Sequence, residues 1–176
     1  GEKMSKTRGN VIKAEDYARE YGVDVLRYFI FREVPFGNDG DFSDAAFTQR
    51  YNSELANSLG NLLSRTLNMV DKYIGGKLPG EGYSGGELYK AIAARGAAID
   101  AHMDVLELDR ALDGIWAAIA EMNQAIDKEK PWAKAKTDPT GLEPFLSDLA
   151  ASLRLVSVWL EPFMPETAAK MKTQLN

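Results

Sequence analysis

The strongest constraint on the fold is that apolar side chains recur every three or four residues along most of this sequence, the spacing of one helix face. The pattern is clearest after Ser43 and returns over residues 108–128 and 142–160. In the first of these stretches the repeating positions are Leu55, Leu59, Leu62, Leu63, Thr66, Leu67 and Val70. No alternation of period two, the mark of a half-buried strand, stands out. The sequence therefore predicts an all-α fold.

Start and stop signals divide most of the chain into a bundle of about five helices. Ser43 is a suitable N-cap for a long helix to about residue 74, which Gly75 and Gly76 end. Gly60 lies inside that helix and costs about 1 kcal/mol relative to Ala there, so we expect close packing or a bend at this point. Further helices are predicted over 88–103, 108–128, 142–160 and 166–175.

The first forty residues form a different kind of segment. A loop is expected over residues 1–10, then a short helix from Lys13 to Gly22, then a second helix over 25–32 with Asp24 as its cap. Pro35 and the glycines after it break this second helix. We therefore expect two modules: residues 1–42 as a loop-and-helix appendage, and residues 43–176 as the helical bundle.

Composition limits the sites that this chain can carry. It has no cysteine and one histidine, His102, so a thiolate or multi-histidine metal site is excluded and no metal is expected. The absence of cysteine suits a reducing cytosol. Charged residues interrupt the longest apolar stretches, and because residues 1–6 lack an apolar core we expect no signal peptide there. We expect a cytoplasmic protein with no membrane partner.

Charge restricts how the chain can bind nucleic acid. The net charge is −5, which argues against strong non-specific binding to RNA or DNA, so that any RNA contact must be local. Two short stretches concentrate cations. They contain Lys3, Lys6, Arg8 and Lys13 in the first, and Lys128, Lys130, Lys134 and Lys136 in the second.

A motif near the N-terminus carries the first chemical signal. The run Lys3-Met4-Ser5-Lys6-Thr7 resembles the KMSKS signature of class I aminoacyl-tRNA synthetases, with Thr7 in place of the final Ser. When an amino acid is activated, pyrophosphate leaves ATP and negative charge grows on it. Lysines on a mobile loop can stabilise that charge. The resemblance implies that residues 3–7 bind ATP and that Lys3 and Lys6 are catalytic.

Two later stretches resemble the bacterial methionyl-tRNA synthetases in particular. They are residues 32–43, REVPFGNDGDFS, and residues 50–66, which contain RYNSELAN and LGNLLSRT. The enzymes for leucine, isoleucine, valine and cysteine share the loop and the helix after it, so these stretches separate the methionyl type from them. The resemblance is strong up to about residue 74 and weaker beyond, through Lys130-Pro131-Trp132.

This resemblance implies an activity for the larger protein. Such an enzyme joins methionine to ATP, used with Mg²⁺, as methionyl-adenylate and then transfers the methionyl group to the 3′ end of tRNA(Met). No histidine precedes His102, so the family's histidine-containing catalytic motif is missing from this sequence. We expect the chain alone to be inactive, to hold no cofactor, and to work beside a catalytic domain of the same polypeptide.

The resemblance also implies an anticodon-reading set for the CAU anticodon of tRNA(Met). Its members here are Asn61 and Arg65, four residues apart on one helix face, and Trp132, which follows Pro131. Asn and Arg offer groups that can bind base edges, and an exposed indole gives an unstacked base a platform. The lysines around Trp132 are candidates to hold phosphates. We expect Trp116 and Trp159 to lie in the core.

Two alternatives stay open at this point. One is the anticodon-binding domain of another class I synthetase. The other is a helical protein-interaction bundle with no RNA role, which the acidic composition mildly favours. An exposed Trp132 beside Arg65 and Asn61 would favour RNA binding, whereas a buried and distant Trp132 would favour the interaction bundle.

Overall fold

The computed structural model describes residues 13–38, 40, 42–80, 82–137 and 139–176, and its regular structure within those ranges is helical. The all-α prediction is confirmed. The α-helices are α1 (Ala14–Tyr21), α2 (Val23–Glu33), α3 (Asp44–Arg50), α4 (Asn61–Ile74), α5 (Glu87–Ala93), α6 (Gly96–Asp104), α7 (Leu108–Glu129), α8 (Pro131–Thr137), α9 (Leu142–Leu160) and α10 (Pro165–Gln174). A π-helical segment, Tyr51–Gly60, joins α3 to α4, and a 3-10 turn, Pro139–Gly141, precedes α9.

The central element is α9, which contacts α4, α5, α7, α8 and α10. Its predicted apolar face is buried: Leu146, Leu149 and Leu153 are 0% exposed. Burying one such side chain contributes about 1.5–3 kcal/mol. The helices that surround α9 are therefore held in place mainly by apolar contact with this one helix.

The predicted long helix after Ser43 exists, but its middle is wound as a π-helix. Ser43 is the N-cap as expected, since its Oγ accepts the backbone N–H of Ala46 at 3.1 Å. The π-helical segment ends at Gly60, where an added Cβ would lie 3.1 Å from the carbonyl oxygen of Leu55. The glycine thus permits this close backbone approach, and regular α-helix resumes at Asn61.

The prediction of one helix over 88–103 is wrong. The chain turns at Ala94 and Arg95 and forms α5 and α6 instead. The reason is tertiary, because α5 packs on α9 whereas α6 packs on α7. Arg95 at the turn is tied to α7 by an ion pair with Glu121 at 2.7 Å.

The helix α2 shares the core of the bundle. The ring of Tyr28 stacks on that of Trp116 in α7, with centroids 4.7 Å apart, so Trp116 lies in the core as expected. Arg27 donates to the backbone carbonyls of Phe163 and Pro162, at 3.1 and 2.6 Å. The helix α2, which precedes the expected boundary near residue 42, therefore packs on elements that follow it.

A half-buried polar network reinforces this junction. Glu54 of the π-helical segment accepts a hydrogen bond from the Tyr28 hydroxyl and another from Arg50 at 2.9 Å. Arg32 in α2 is 2.6 Å from Asp113 in α7. Burial, and then the contact with Glu54, raises the pKa of Tyr28. Tyr28 therefore stays a neutral donor to this carboxylate.

Two buried aspartates cap helices to which they do not belong. Asp24 was expected to cap α2, and that prediction is wrong: its Oδ2 accepts the backbone N–H of Thr167 in the first turn of α10, at 2.6 Å. Asp148 in α9 accepts the backbone N–H groups of Gly86 and Tyr89 at the start of α5, at 2.6 and 3.3 Å. The first N–H groups of a helix have no partner inside it, so these carboxylates satisfy them.

Asp148 also anchors the loop before α5, since it accepts the hydroxyl of Tyr83 at 2.8 Å. We expect Asp148→Ala to lower the free energy of unfolding by about 2–3 kcal/mol, because it leaves three donors without their acceptor. Urea denaturation followed by circular dichroism measures this. Asp100→Ala, at an exposed position of α6, is the control and should change stability by less than about 0.5 kcal/mol. Equal effects of the two substitutions would contradict the capping role.

The same contact makes stability depend on pH in the alkaline range. Burial, and then the hydrogen bond to Asp148, raises the pKa of Tyr83 from 10.0 to about 12. Because the folded state holds this proton more tightly, the stabilisation is complete below pH 10 and is lost as pH rises towards 12. We expect the stability difference between the unmodified chain and Tyr83→Phe to shrink over that interval. A difference that is constant with pH would contradict the assignment.

Candidate nucleic-acid interface

Two of the expected anticodon residues lie at the start of α4. Asn61 is its first residue and is exposed, and Arg65 follows one turn later on the same face. The opposite face of α4 carries Leu62 and Val70, which are 0% and 2% exposed. Burial of that face against α9 points Asn61 and Arg65 outward.

The third expected residue, Trp132, lies in α8 just after the end of α7. The helix α7 ends at Lys130, which has a left-handed backbone with φ 44° and ψ 62°. Pro131 is buried and begins α8, as suits a residue with no backbone N–H. Trp132 next to it is 43% exposed. The turn thus anchors the proline and leaves the indole facing solvent.

Arg65 and Trp132 meet across the gap between α4 and α8. The guanidinium carbon of Arg65 is 5.9 Å from the centroid of the Trp132 ring, which is a cation–π distance. Arg65 also donates to Asp127 of α7 at 3.2 Å. The structure therefore brings Arg65 and the exposed indole together on one surface, with Asn61 one helical turn from Arg65.

Sequence reasoning missed two polar residues of α7 at this surface. Asp127 holds Arg65, with both side chains largely exposed. Asn123, one turn earlier, donates to the carbonyl oxygens of Ile119 at 3.1 Å and Ser58 at 3.4 Å, so it links α7 to the chain just before α4. The spacing of four places Asn123 and Asp127 on one face of α7, which the sequence could have shown. Their partners Ser58 and Arg65 lie 65 and 62 residues away, so these contacts depend on how α4 packs on α7.

The lysines near Trp132 differ in their contacts. Lys134 is paired with Glu129. Lys128, Lys130 and Lys136 are exposed, and within the described part of the chain none of them forms an ion pair. The surface around the indole therefore carries positive charge that is free to attract an anion, although the whole chain is acidic.

The sequence also singled out the signature residues, His102 and Trp159. Lys3, Met4, Ser5, Lys6 and Thr7 all lie outside the described residues. The Nδ1 atom of His102 lies 2.7 Å from the Glu107 carboxylate, just beyond α6. Trp159 is half-buried and packs against the core.

The described residues contain neither a cluster of metal ligands nor a membrane-spanning helix. No group of three or more histidine or carboxylate side chains there is placed to hold a metal ion. None of the helices in the described ranges is long and apolar enough to cross a membrane.

Two family models match this chain. One, described as class I tRNA synthetases (M), matches residues 1–67. The other, described as the anticodon binding domain of methionyl tRNA ligase, matches residues 78–176. Both name the methionyl type, so the alternative of another class I synthetase is set aside.

Similar proteins agree with these models. The chain is 43% identical to the methionine–tRNA ligase of Caldanaerobacter subterraneus subsp. tengcongensis, over 100% of the chain and 28% of that protein. It is 42% identical to the corresponding ligase of Streptococcus pyogenes serotype M1, over 99% of the chain and 27% of that protein. The chain thus spans little more than a quarter of the length of these relatives.

Solved structures show the same relationship. The structure of Mycobacterium tuberculosis methionyl-tRNA synthetase bound by methionyl-adenylate superposes with a TM-score of 0.83 at 35% identity, covering 96% of this chain and 35% of that one. The apo form of the same enzyme gives a TM-score of 0.78 at 33% identity, covering 91% and 34%. On the sequence matches and the shared fold together, this chain belongs to the methionyl-tRNA ligase family, with residues 78–176 matching the family's anticodon binding domain.

Proposed function

We propose that this chain recognises the CAU anticodon of tRNA(Met) through Asn61, Arg65 and Trp132, as part of a cytoplasmic ligase that attaches methionine to that tRNA. The observation that carries the proposal is the exposed indole of Trp132 with the guanidinium of Arg65 against it. Trp132 is 43% exposed, and an exposed indole beside a guanidinium is an arrangement that suits the stacking of a splayed-out base.

The three side chains supply complementary contacts to an unstacked base. The indole provides a stacking platform, which is worth about 1–3 kcal/mol per base. One guanidinium nitrogen of Arg65 donates a hydrogen bond to Asp127, and the other N–H groups remain available to bind a base edge. The amide of Asn61 has both a donor and an acceptor, so it can discriminate between base edges.

Electrostatic attraction of the RNA and recognition of its bases are separate contributions to binding. Phosphate contacts give affinity that falls with salt, whereas base contacts give specificity. The exposed lysines 128, 130 and 136 lie within four residues of Trp132. A local patch of this kind can hold an anticodon loop on a protein whose net charge is −5.

The N-terminal segment has a different proposed role. We assign residues 1–42 to the signature loop and to a segment that contacts the stem of the tRNA. We assign residues 43–176 to anticodon binding. Lys3 and Lys6, with Met4, Ser5 and Thr7, would bind the phosphates of the substrate ATP, which is used with Mg²⁺. Positive charge there stabilises the departing pyrophosphate as methionyl-adenylate forms.

The first experiment is a titration of this chain with two RNA hairpins that differ only in the anticodon. We expect at least a tenfold preference for CAU, about 1.4 kcal/mol, measured by fluorescence anisotropy at constant salt. Trp132→Ala should abolish most of this preference, because without the stacking platform the base is no longer held against the discriminating groups of Asn61 and Arg65. Since the indole is already 43% exposed, the variant should remain folded.

Val158→Ala is the matched control for loss of an exposed apolar side chain. Val158 is 53% exposed on α9, outside the surface formed by α4 and α8, and its removal should leave both affinities unchanged. Equal binding of the two hairpins by the unmodified chain would contradict the base-reading roles of Asn61, Arg65 and Trp132. Binding of neither hairpin would contradict the proposal that this chain recognises the anticodon on its own.

A second experiment addresses the loop in a full-length ligase that carries this sequence. We expect Lys6→Gln to lower the kcat of methionine-dependent ATP–pyrophosphate exchange by about 10²–10³, the usual effect of removing one group that stabilises transition-state charge. Lys13→Gln, at an exposed lysine outside the signature, serves as the control. A change of less than about threefold in Lys6→Gln would rule out the charge-stabilising role.

A further inference from the structure

Lys130 has an unusual backbone conformation. Among the described residues, Leu106 and Lys130 are the non-glycine residues with positive φ. Lys130 ends α7 with φ 44° and ψ 62°, and its N–H bonds to the carbonyl of Ile126 at 2.9 Å. The left-handed residue that ends a helix is usually glycine, as it is at Gly75 after α4, with φ 67° and ψ 34°.

Glycine would adopt the backbone of this turn at a lower conformational cost than lysine does. A β-carbon is unfavourable in the left-handed region, and glycine avoids that cost. The hydrogen bonds at this turn come from the backbone, including the Lys130 carbonyl, which accepts from Ala133 at 2.8 Å and Lys134 at 3.2 Å. The Lys130 side chain is exposed and forms no ion pair with any described residue. A backbone outlier whose side chain has no ion-pair partner among the described residues is a reason to look for a function.

The position of Lys130 indicates what that function is. Lys130 lies two residues before Trp132 and directly before Pro131. The proline ring fixes the φ angle of Pro131 and so restricts the path of the chain between Lys130 and Trp132. A base stacked on Trp132 is joined to a backbone phosphate through a single sugar, so that phosphate comes close to the turn. Lysine binds phosphate as a point charge on a long flexible stem. Lys134 is paired with Glu129. Among the cations that form no ion pair with a described residue, Lys130 is therefore the nearest to the indole in sequence.

We propose that Lys130 binds the backbone phosphate of the nucleotide that stacks on Trp132, and that the left-handed turn is retained as lysine for this charge. The proposal rests on the proposed RNA-binding function and extends it. The contacts of Trp132, Arg65 and Asn61 with the bases determine which anticodon is bound. Lys130 adds affinity that is the same for every anticodon.

The test measures stability and RNA affinity in the same variants. Lys130→Gly and Lys130→Asn both remove the charge, and both residues tolerate left-handed backbone. We expect the Tm of Lys130→Gly to be unchanged or raised by up to about 4 °C. We expect its affinity for the CAU hairpin and for the changed-anticodon hairpin to fall by the same factor, about three- to tenfold at about 100 mM salt.

The salt dependence of binding gives a more specific measurement. Loss of one phosphate contact should lower the slope of log K against log salt by about 0.7–1. Lys130→Arg keeps the charge and should keep the slope. Lys77→Gly, the same change at an exposed lysine beyond the other end of α4, should leave both slope and affinity unchanged.

Three results would overturn the proposal. They are an unchanged salt slope in Lys130→Gly and Lys130→Asn, a loss confined to the CAU hairpin, and a clear fall in Tm in Lys130→Gly, which would show that the side chain supports the fold. These results are distinguishable from failure of the base-reading function. In that case the unmodified chain would bind both hairpins equally, while the slope change in the Lys130 variants would persist.

Discussion

The arrangement of this domain depends on the burial of α9. Its apolar side chains are covered by α4, α5, α7 and α10, which pack around it. Because α4 and α7 both pack on this helix, their relative positions are determined by core packing. Arg65 projects from α4, and Trp132 follows the end of α7. A site built on well-packed helices keeps its geometry without its ligand, and so the contact between the guanidinium and the indole is already present in the free chain.

Two buried carboxylates are hydrogen-bonded to groups that lie far away in sequence. Asp148 of α9 serves the start of α5, and Asp24 of α2 serves the start of α10. In each case a buried carboxylate accepts N–H groups that the helix itself leaves without partners. Together with Glu54, which joins the π-helical segment to α2, these contacts make the N-terminal helices part of the bundle. If the signature loop acts as proposed, a helix that follows it in sequence, α2, packs against α7, whose end leads to Trp132.

The surface around Trp132 carries several cations although the chain as a whole is acidic. A chain with a net charge of −5 repels RNA at long range, so affinity has to come from a few cations in the right place. Acidic groups also lie there: Asp127 holds Arg65, and Glu129 holds Lys134. Lys128, Lys130 and Lys136, which form no ion pair with a described residue, flank the indole in sequence. This distribution suits a partner whose phosphates and unstacked bases arrive together, because positioning by phosphates and reading of bases are separate contributions.

The sequence by itself was sufficient for the features that depend on neighbours within about one helical turn. These include the helical class, most helix positions, the Ser43 cap and the outward face shared by Asn61 and Arg65. The signature residues of the family were also recognisable there. Only the tertiary structure decided the break between α5 and α6, the capping of α10 by Asp24, the contact of Asp127 with Arg65 and the left-handed turn at Lys130. Periodicity and capping act between residues a few positions apart, whereas these features join residues that only the packing of whole helices brings together, or a backbone conformation that local preference disfavours.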